Sequence, residues 1–92
     1  MSTIRKIPVK PATPVWVVKR ILKLTKPYMR GDDVKELQKR LNAAGFNCGA
    51  IDGVFGEKTD AALRAYQKAK GLKVDGEAGK QTITSLGGAW QG

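Results

Sequence analysis

The chain reads IDGVFGEKTDAAL at residues 51–63 and VDGEAGKQTITSL at residues 74–86, so one pattern occurs twice at an offset of 23 residues. Five of its thirteen positions are identical: the aspartate, both glycines, the threonine and the final leucine. An Asp-Gly pair favours a tight turn in which the glycine adopts a positive φ and the aspartate bonds to nearby amides. The second glycine then occupies a helix N-cap, and the threonine occupies the third helical position. The repeat therefore predicts two successive turn–cap–helix units.

A further helix is predicted ahead of these two units. Val34, Leu37 and Leu41 have the spacing of a single helix face. Asp33 and Glu36 have the spacing of a capping box at the start of that helix. We therefore predict an all-α fold, a small three-helix bundle. The predicted helices cover approximately residues 32–44, 57–70 and 80–86, and a glycine follows each of them.

The segment before the first helix has a different composition. Its three prolines at positions 8, 11 and 14 predict that residues 1–14 form an extended basic arm, ahead of a domain at residues 15–92. Val15–Leu24 is rich in β-branched and apolar residues, which predicts a short lead-in strand.

An Asp-Gly turn with neighbouring acids also invites comparison with a calcium loop. Such a loop needs oxygen ligands at alternate positions and a closing bidentate glutamate, and neither copy of the repeat supplies them. We therefore expect no metal and no cofactor, and we interpret the repeated residues as structural. The residues assigned to this structural motif are Asp33, Asp52, Gly53, Phe55, Gly56, Thr59, Asp75, Gly76, Gly79 and Thr82.

Three linked motifs follow one another along the chain: GxDVxxLQxxL at 31–41, DGxFGxxTxxALxxYQ at 52–67 and GLxxDGxxGxxTxxL at 71–86. In this order they resemble the peptidoglycan-binding domain family. Its members are small three-helix modules found beside amidases, muramidases, peptidases and cortex-lytic enzymes, and in phage endolysins. The resemblance covers residues 20–86. The departures are Tyr66, where phenylalanine is usual, and Ala78, which replaces an aromatic residue in the second repeat.

The resemblance implies a non-catalytic module that binds bacterial peptidoglycan and brings an attached or partner lytic enzyme to its substrate. Sugars of the glycan strand stack on aromatic faces, and stem peptides need hydrogen-bond donors and acceptors in a shallow groove. The candidate ligand-binding residues are Asn47, Asp52, Arg64, Tyr66, Gln67 and Trp90.

Several of these candidates also have a structural interpretation. Asp52 is favoured as a turn former, because its twin Asp75 occupies the equivalent turn. The ring of Tyr66 is expected in the core with only its hydroxyl at the surface, and Gln67 is expected to tie its helix to a neighbouring loop. Trp90 follows two glycines and so has a weaker packing argument and a better case as a ligand contact.

The charge of the chain is unevenly distributed. The 92 residues include 17 Lys and Arg against 8 Asp and Glu, a formal charge of +9. Residues 1–30 carry eight basic side chains and no acid, whereas residues 31–92 carry nine basic and eight acidic side chains, so the two parts have charges of +8 and +1. There is no histidine, which excludes Ser-His-Asp and Cys-His nucleophile systems and histidine-ligated zinc.

Two other functions remain as alternatives. The first is binding of nucleic acid or anionic wall polymers through the basic first third, which predicts a steep salt dependence, although no helix-turn-helix, zinc or RNA-binding signature accompanies it. The second is a minimal glycoside hydrolase, which would need two carboxylates about 5 to 9.5 Å apart. A related alternative is a fragment of a cell-wall hydrolase or endolysin, in which these residues only target the parent enzyme. No pair of acids in the sequence stands in an apolar setting that would raise one pKa.

We expect action at the bacterial cell wall or in the periplasm, by a monomer. The N-terminal residues lack the uninterrupted apolar core of a secretory signal, and no apolar run approaches the roughly 20 residues that span a bilayer. Release by phage lysis, another export route or excision from a larger protein is therefore expected. The lone Cys48 cannot form a disulfide within the chain.

Overall fold

The secondary structure consists of three helices and two short strands. The computed structural model describes residues 16–92, and the predicted arm at residues 1–14 lies outside the described residues. The three helices confirm the predicted fold class. In chain order the elements are β1 (Val17–Val18), α1 (Asp32–Ala43), α2 (Glu57–Ala69), α3 (Lys80–Ser85) and β2 (Ala89–Trp90).

The strands bring the two ends of the described chain together. β1 and β2 pair in parallel, with Val17 opposite Ala89 and Val18 opposite Trp90. The lead-in strand was predicted from the sequence, but β2 was not. Trp90 is half-buried and packs against the core, so the weak packing argument made for it from the sequence is wrong.

Residues 16–30, which precede α1, form what we call the lead-in segment, and the core lies between this segment and the helices. On α1, Val34, Leu37 and Leu41 are fully buried, as their spacing predicts. Burying each such side chain contributes roughly 1.5–3 kcal/mol. The other buried apolar residues are Trp16, Val18, Leu22, Cys48, Phe55, Ala62, Leu63, Tyr66, Ala78 and Ile83.

Each helix is followed, two residues after its last helical residue, by a glycine with a positive φ, namely Gly45, Gly71 and Gly87. After Gly45, the backbone N–H of Phe46 donates to the carbonyl of Leu41 at 2.8 Å, and the same type of bond closes the other two helices. This arrangement satisfies carbonyls that the helix itself leaves without partners. The glycines therefore fix where the helices stop and where the loops leave them.

The start of α1 differs from the prediction. The capping box of Asp33 and Glu36 is wrong, because the N-cap is Gly31 and no side chain caps the helix. Asp33 instead accepts a hydrogen bond from Arg20 Nε at 2.9 Å, and Glu36 pairs with Arg40 at 3.0 Å. Asp33 is already the second helical residue, so its carboxylate joins the lead-in segment to α1.

Candidate functional site

The first Asp-Gly turn is held by a buried glutamine on α1. Gln38 is 1% exposed, and its Nε2 donates to Asp52 Oδ1 at 3.1 Å, to the carbonyl of Val54 at 2.9 Å and to Thr59 Oγ1 at 3.0 Å. Its Oε1 accepts the N–H of Gly53 at 2.8 Å. We call these five residues the first glutamine cluster. One side chain thereby connects α1, the turn and the first turn of α2.

The carboxylate of Asp52 completes the turn. Its Oδ1 accepts the N–H of Val54 at 3.0 Å in addition to the bond from Gln38. These two donors, the backbone N–H first, hold the pKa of Asp52 below its ordinary value. Asp52 therefore carries its charge at neutral pH while it shapes the turn.

The second Asp-Gly turn repeats this network around Gln67 of α2, which is also 1% exposed. Gln67 Nε2 donates to Asp75 Oδ1 at 3.0 Å, to the carbonyl of Glu77 at 3.0 Å and to Thr82 Oγ1 at 3.1 Å. Its Oε1 accepts the N–H of Gly76 at 3.1 Å. We call these residues the second glutamine cluster. The repeat seen in the sequence is therefore a repeat of hydrogen bonds as well as of residue types.

Of the two glutamines, Gln67 was predicted from the sequence as a candidate ligand residue, and Gln38 was not. The two glutamines do not share the offset of the turns, because Gln38 precedes Asp52 by 14 residues and Gln67 precedes Asp75 by 8. The loop between α1 and the first turn is longer than the loop between α2 and the second turn. A glutamine directly after an apolar residue on the buried helix face was the available signal in both places.

A surface groove lies over each cluster. The first groove has a volume of about 490 Å³, and Tyr28, Ala50, Asp52, Glu57 and Lys58 are among the residues that line it. The second groove has a volume of about 250 Å³. Its lining includes Lys73, Asp75, Glu77, Lys80 and Gln81.

One residue ahead of α1, Tyr28, lines the first groove, and it is held there by a contact with Glu57. The hydroxyl of Tyr28 donates to Glu57 Oε1 at 2.6 Å, and Lys26 Nζ donates to Glu57 Oε2 at 3.3 Å. Lys26 Nζ also lies 4.8 Å from the centre of the Tyr28 ring. The hydrogen bond from Tyr28, supported by Lys26, lowers the pKa of the Glu57 carboxyl. The first groove thus combines an aromatic ring with charged groups of both signs.

The six predicted ligand-binding residues do not meet at one site. Asp52 lines the first groove and Gln67 lines the second. Tyr66 is 3% exposed, and its hydroxyl lies 2.6 Å from Ser85 Oγ. Its ring makes an edge contact with Phe46, with the ring centres 5.5 Å apart.

None of the other three candidates is among the lining residues of either groove, although the Arg64 guanidinium lies against Gly76 of the second turn. Arg64 is on the outer face of α2 and pairs with Asp60 at 3.2 Å. Asn47 lies in the loop after α1, where its Oδ1 accepts the N–H of Gly49 at 2.8 Å. Trp90 is in β2.

The basic residues between positions 16 and 30 differ in whether they form ion pairs with the helices. Arg20 and Lys26 form ion pairs with acidic residues of the helices. Lys19, Lys23 and Arg30 are exposed and form no ion pair with residues 16–92. These three side chains are therefore available to an anionic partner.

Within residues 16–92, no three His, Cys, Asp or Glu side chains group together in a way that could hold a metal ion. The thiol of Cys48 is buried, and this burial raises its pKa. In the same part of the chain, no helix has the length and apolar character needed to cross a membrane.

Comparison with known proteins gives consistent matches. The sequence model of the peptidoglycan binding domain family matches residues 30–86. The chain is 50% identical over 56 residues to the N-acetylmuramoyl-L-alanine amidase CwlM of Mycobacterium tuberculosis, a match that covers 61% of this chain and 14% of that protein. It is 56% identical over 56 residues to a spore cortex-lytic enzyme of Bacillus cereus, covering 61% of this chain and 22% of that protein. The matched region is thus less than a quarter of either relative.

Solved structures that carry a similar domain also superpose on this chain. The crystal structure of the SleB N-terminal domain superposes with a TM-score of 0.70 at 43% identity, and the match covers 76% of this chain and 92% of that chain. A Burkholderia AP3 phage endolysin superposes with a TM-score of 0.66 at 40% identity, covering 73% of this chain and 24% of that chain.

Proposed function

The chain belongs to the peptidoglycan binding domain family, and on this premise we propose that it is a non-catalytic module that binds bacterial peptidoglycan. The observation that carries the proposal is the match over residues 30–86, because this range contains all three helices and both glutamine clusters. Binding to the wall raises the effective concentration of an attached or partner lytic enzyme at its substrate. The proposed place of action is therefore the cell wall or the periplasm.

The first groove is the proposed ligand site. It is the larger of the two grooves, and it places the Tyr28 ring beside Glu57 and Asp52. Asp52 Oδ1 accepts both internal hydrogen bonds, and Oδ2 accepts none from residues 16–92. Oδ2 is thus available to a sugar hydroxyl or to a peptide N–H, and the aromatic ring offers an apolar surface to a sugar.

Among the predicted ligand residues, Asp52 is therefore the proposed direct contact. Tyr66 and Gln67 are proposed as supports, since both are almost fully buried and their polar atoms bond within the module. Asn47, Arg64 and Trp90 lie at separate places on the surface and are proposed only as peripheral contacts for a long polymer.

The carboxylates of the first groove favour binding over catalysis. A glycoside hydrolase needs one carboxyl group with a raised pKa that can act as an acid. The pKa values of Asp52 and Glu57 are both lowered, in each case mainly by a hydrogen-bond donor. Both groups are therefore ionised at neutral pH and suited to accept hydrogen bonds.

A second, auxiliary role is proposed for the free basic residues of the lead-in segment. Lys19, Lys23 and Arg30 are exposed, and none of them pairs with an acid in the described part of the chain. Phosphate-bearing wall polymers are anionic partners that suit such a surface, and this contribution decreases as salt rises.

Sedimentation with purified sacculi tests the main proposal. We expect the protein to pellet with the sacculi at both low and physiological salt, and part of the binding to be lost as salt increases. A protein that stays wholly in the supernatant at both salt concentrations would overturn the proposal. Release of soluble fragments from the sacculi by this chain alone would overturn the non-catalytic assignment.

The same assay locates the site with a matched pair of variants. Glu57→Gln removes the charge and the ion pair at the first groove. Glu36→Gln removes a charge of the same type, also ion-paired on a helix, but outside the lining of either groove. We expect Glu57→Gln to weaken sacculus binding several-fold and Glu36→Gln to leave it unchanged.

A further inference from the structure

The second groove occupies the same place in its repeat as the first groove does in its own. Asp52 and Asp75 stand in equivalent positions, as do the threonines and glycines at the two helix starts, and all of these residues line their respective grooves. Each groove lies over one glutamine cluster with the same hydrogen bonds. The two grooves are therefore built on equivalent residues and equivalent hydrogen bonds.

Charged side chains line the second groove. Lys73 and Lys80 contribute two ammonium groups, and Asp75 and Glu77 contribute two carboxylates. None of the four forms an ion pair with any residue from 16 to 92. Lys73 and Lys80 are exposed, whereas the two acids are half-buried, so the lysines are able to move towards a ligand while the acids are held more firmly.

The two grooves differ in the residues that line them beside these equivalent positions. The first groove has the Tyr28 ring on its rim, and the lining of the second groove contains no aromatic residue. Glu57 of the first groove is paired with Lys26, whereas its counterpart in the second groove is Lys80, which forms no ion pair within residues 16–92. The second groove is therefore less suited to a neutral sugar and more suited to a charged ligand.

The presence of both lysines and acids in the second groove limits the kind of ligand that it suits. A purely anionic group placed here would be attracted by the lysines but repelled by Asp75 and Glu77, and a purely cationic group would meet the reverse. A ligand that carries an ammonium and a carboxylate a few bonds apart finds a partner of opposite charge in the groove for each of its own charges. Stem peptides of peptidoglycan carry both groups, whereas the N-acetylated glycan strand carries no ammonium group.

We propose that the second groove is a second ligand site, which binds the zwitterionic end of a peptidoglycan stem peptide, with Lys73 and Lys80 pairing with its carboxylate and Glu77 and Asp75 with its ammonium group. This inference rests on the proposed function. One module then makes two contacts with the same polymer, and the second contact forms at high effective concentration once the first has formed.

Amide chemical-shift titration of the full chain tests the proposal with three probes. The first is the tetrapeptide L-Ala-D-Glu-L-Lys-D-Ala, the second is the same peptide with acetylated amines and amidated carboxylates, and the third is free lysine. We expect the charged tetrapeptide to shift amides of residues 73–82, and we expect the capped peptide to bind at least about tenfold more weakly. Free lysine is expected to bind more weakly than the tetrapeptide.

A matched pair of double variants distinguishes the loss of the groove lysines from a general decrease in positive charge. Lys73→Gln/Lys80→Gln should raise the Kd of the tetrapeptide about tenfold, because it removes both ammonium groups from the groove. Lys39→Gln/Lys68→Gln removes the same charge from exposed positions that line neither groove, and we expect no change in Kd. Both pairs change exposed side chains, so the fold is expected to persist.

Each other result overturns the inference. Shifts confined to the first groove, no shifts at all, equal binding of the capped peptide, or equal effects of the two double variants would remove the second site. Free lysine binding as tightly as the tetrapeptide would replace the stem peptide with a free amino acid as the ligand. If the wild-type protein still pellets with sacculi, only this inference fails, and if it does not pellet, the proposed function fails.

Discussion

The two turn units have the same hydrogen-bond network but different packing. In the first unit, Phe55 follows the turn and is fully buried. In the second unit, the equivalent position is Ala78, which is also fully buried but fills far less space. Leu22 of the lead-in segment forms a two-way backbone bridge with Ala78, at 2.8 and 3.3 Å, and is itself fully buried. The large core residue of the first unit, Phe55, belongs to the unit itself. In the second unit the large core residue is Leu22, which belongs to the lead-in segment.

This difference shows why residues before the helices belong to the domain. The lead-in segment also forms a backbone β-bridge with the first unit, between Arg30 and Val54. It therefore runs past both turns, antiparallel to each, before it enters α1. The two units have the same polar network, so substitutions in that network should affect both units alike. Their core residues come from different parts of the chain, so substitutions in the core should affect them differently.

Removal of the core side chains should have the largest effect. Phe55→Ala is expected to lower the free energy of unfolding by about 4 kcal/mol, and Leu22→Ala by about 3 kcal/mol. Urea denaturation of the two variants measures both values. If Leu22→Ala proved nearly neutral, the second unit would not depend on the lead-in segment, and the contrast between the units would be lost.

Removal of the glutamines should affect the two units equally. Gln38→Ala and Gln67→Ala each leave a buried glycine N–H and a buried threonine hydroxyl without their partner, at an expected cost of about 3 kcal/mol. Gln81→Ala, at an exposed helical position, serves as the control and should change stability by less than about 0.5 kcal/mol. A difference above about 2 kcal/mol between Gln38→Ala and Gln67→Ala would contradict the equivalence of the clusters.

The turn glycines should show a smaller and unequal effect. Both have a positive φ, 75° at Gly53 and 71° at Gly76, so alanine costs about 1–2 kcal/mol at either position. A Cβ at Gly53 would lie 3.2 Å from the backbone oxygen of Gly31, whereas at Gly76 it would meet the end of the Arg64 side chain, which can move. Gly53→Ala should therefore lower the melting temperature more than Gly76→Ala, and the reverse order would contradict this account.

The turn aspartates should give the smallest effect, seen as a pH dependence. Hydrogen bonds from the Val54 N–H and from Gln38 lower the pKa of Asp52. At Asp75 burial acts in the opposite direction, but hydrogen bonds from the Glu77 N–H and from Gln67 outweigh it and lower the pKa as well.

A lowered folded-state pKa means that each ionised aspartate stabilises the fold above the unfolded value of about 3.9, and that this contribution is lost as pH falls through the folded pKa. Melting temperatures between pH 2 and 7 should therefore fall at the acid end. Asp52→Asn and Asp75→Asn should each make that fall shallower. An unchanged slope in both variants would show that the carboxylates do not carry the acid sensitivity.

Much of this molecule was predictable from its sequence, because glycine and Asp-Gly pairs act locally. The turns, the helix ends and the buried face of α1 follow from residues a few positions apart. The role of Gln38 did not follow, since its partner Asp52 is 14 residues away and a hydrogen bond over that distance leaves no periodic signal.

Two further features depend on tertiary contacts. β2 is two residues long and pairs with β1 from the other end of the described chain, so neither its length nor its composition marks it as a strand. The spacing of Asp33 and Glu36 fits a capping box, but Arg20 comes from outside the helix and pairs with Asp33 instead. The first groove was missed for the same reason, because Tyr28 and Glu57 are brought together only by the fold.

The central claim is that the wall ligand meets the module at the repeated turns. Chemical-shift mapping with a soluble disaccharide–tetrapeptide fragment of peptidoglycan tests it most directly, because it reports on every backbone amide at once. We predict that the largest shifts fall at Tyr28 and within residues 50–59, the segment that supplies most of the lining of the first groove. Absence of shifts at millimolar ligand, or shifts confined to residues outside both grooves, would contradict the claim.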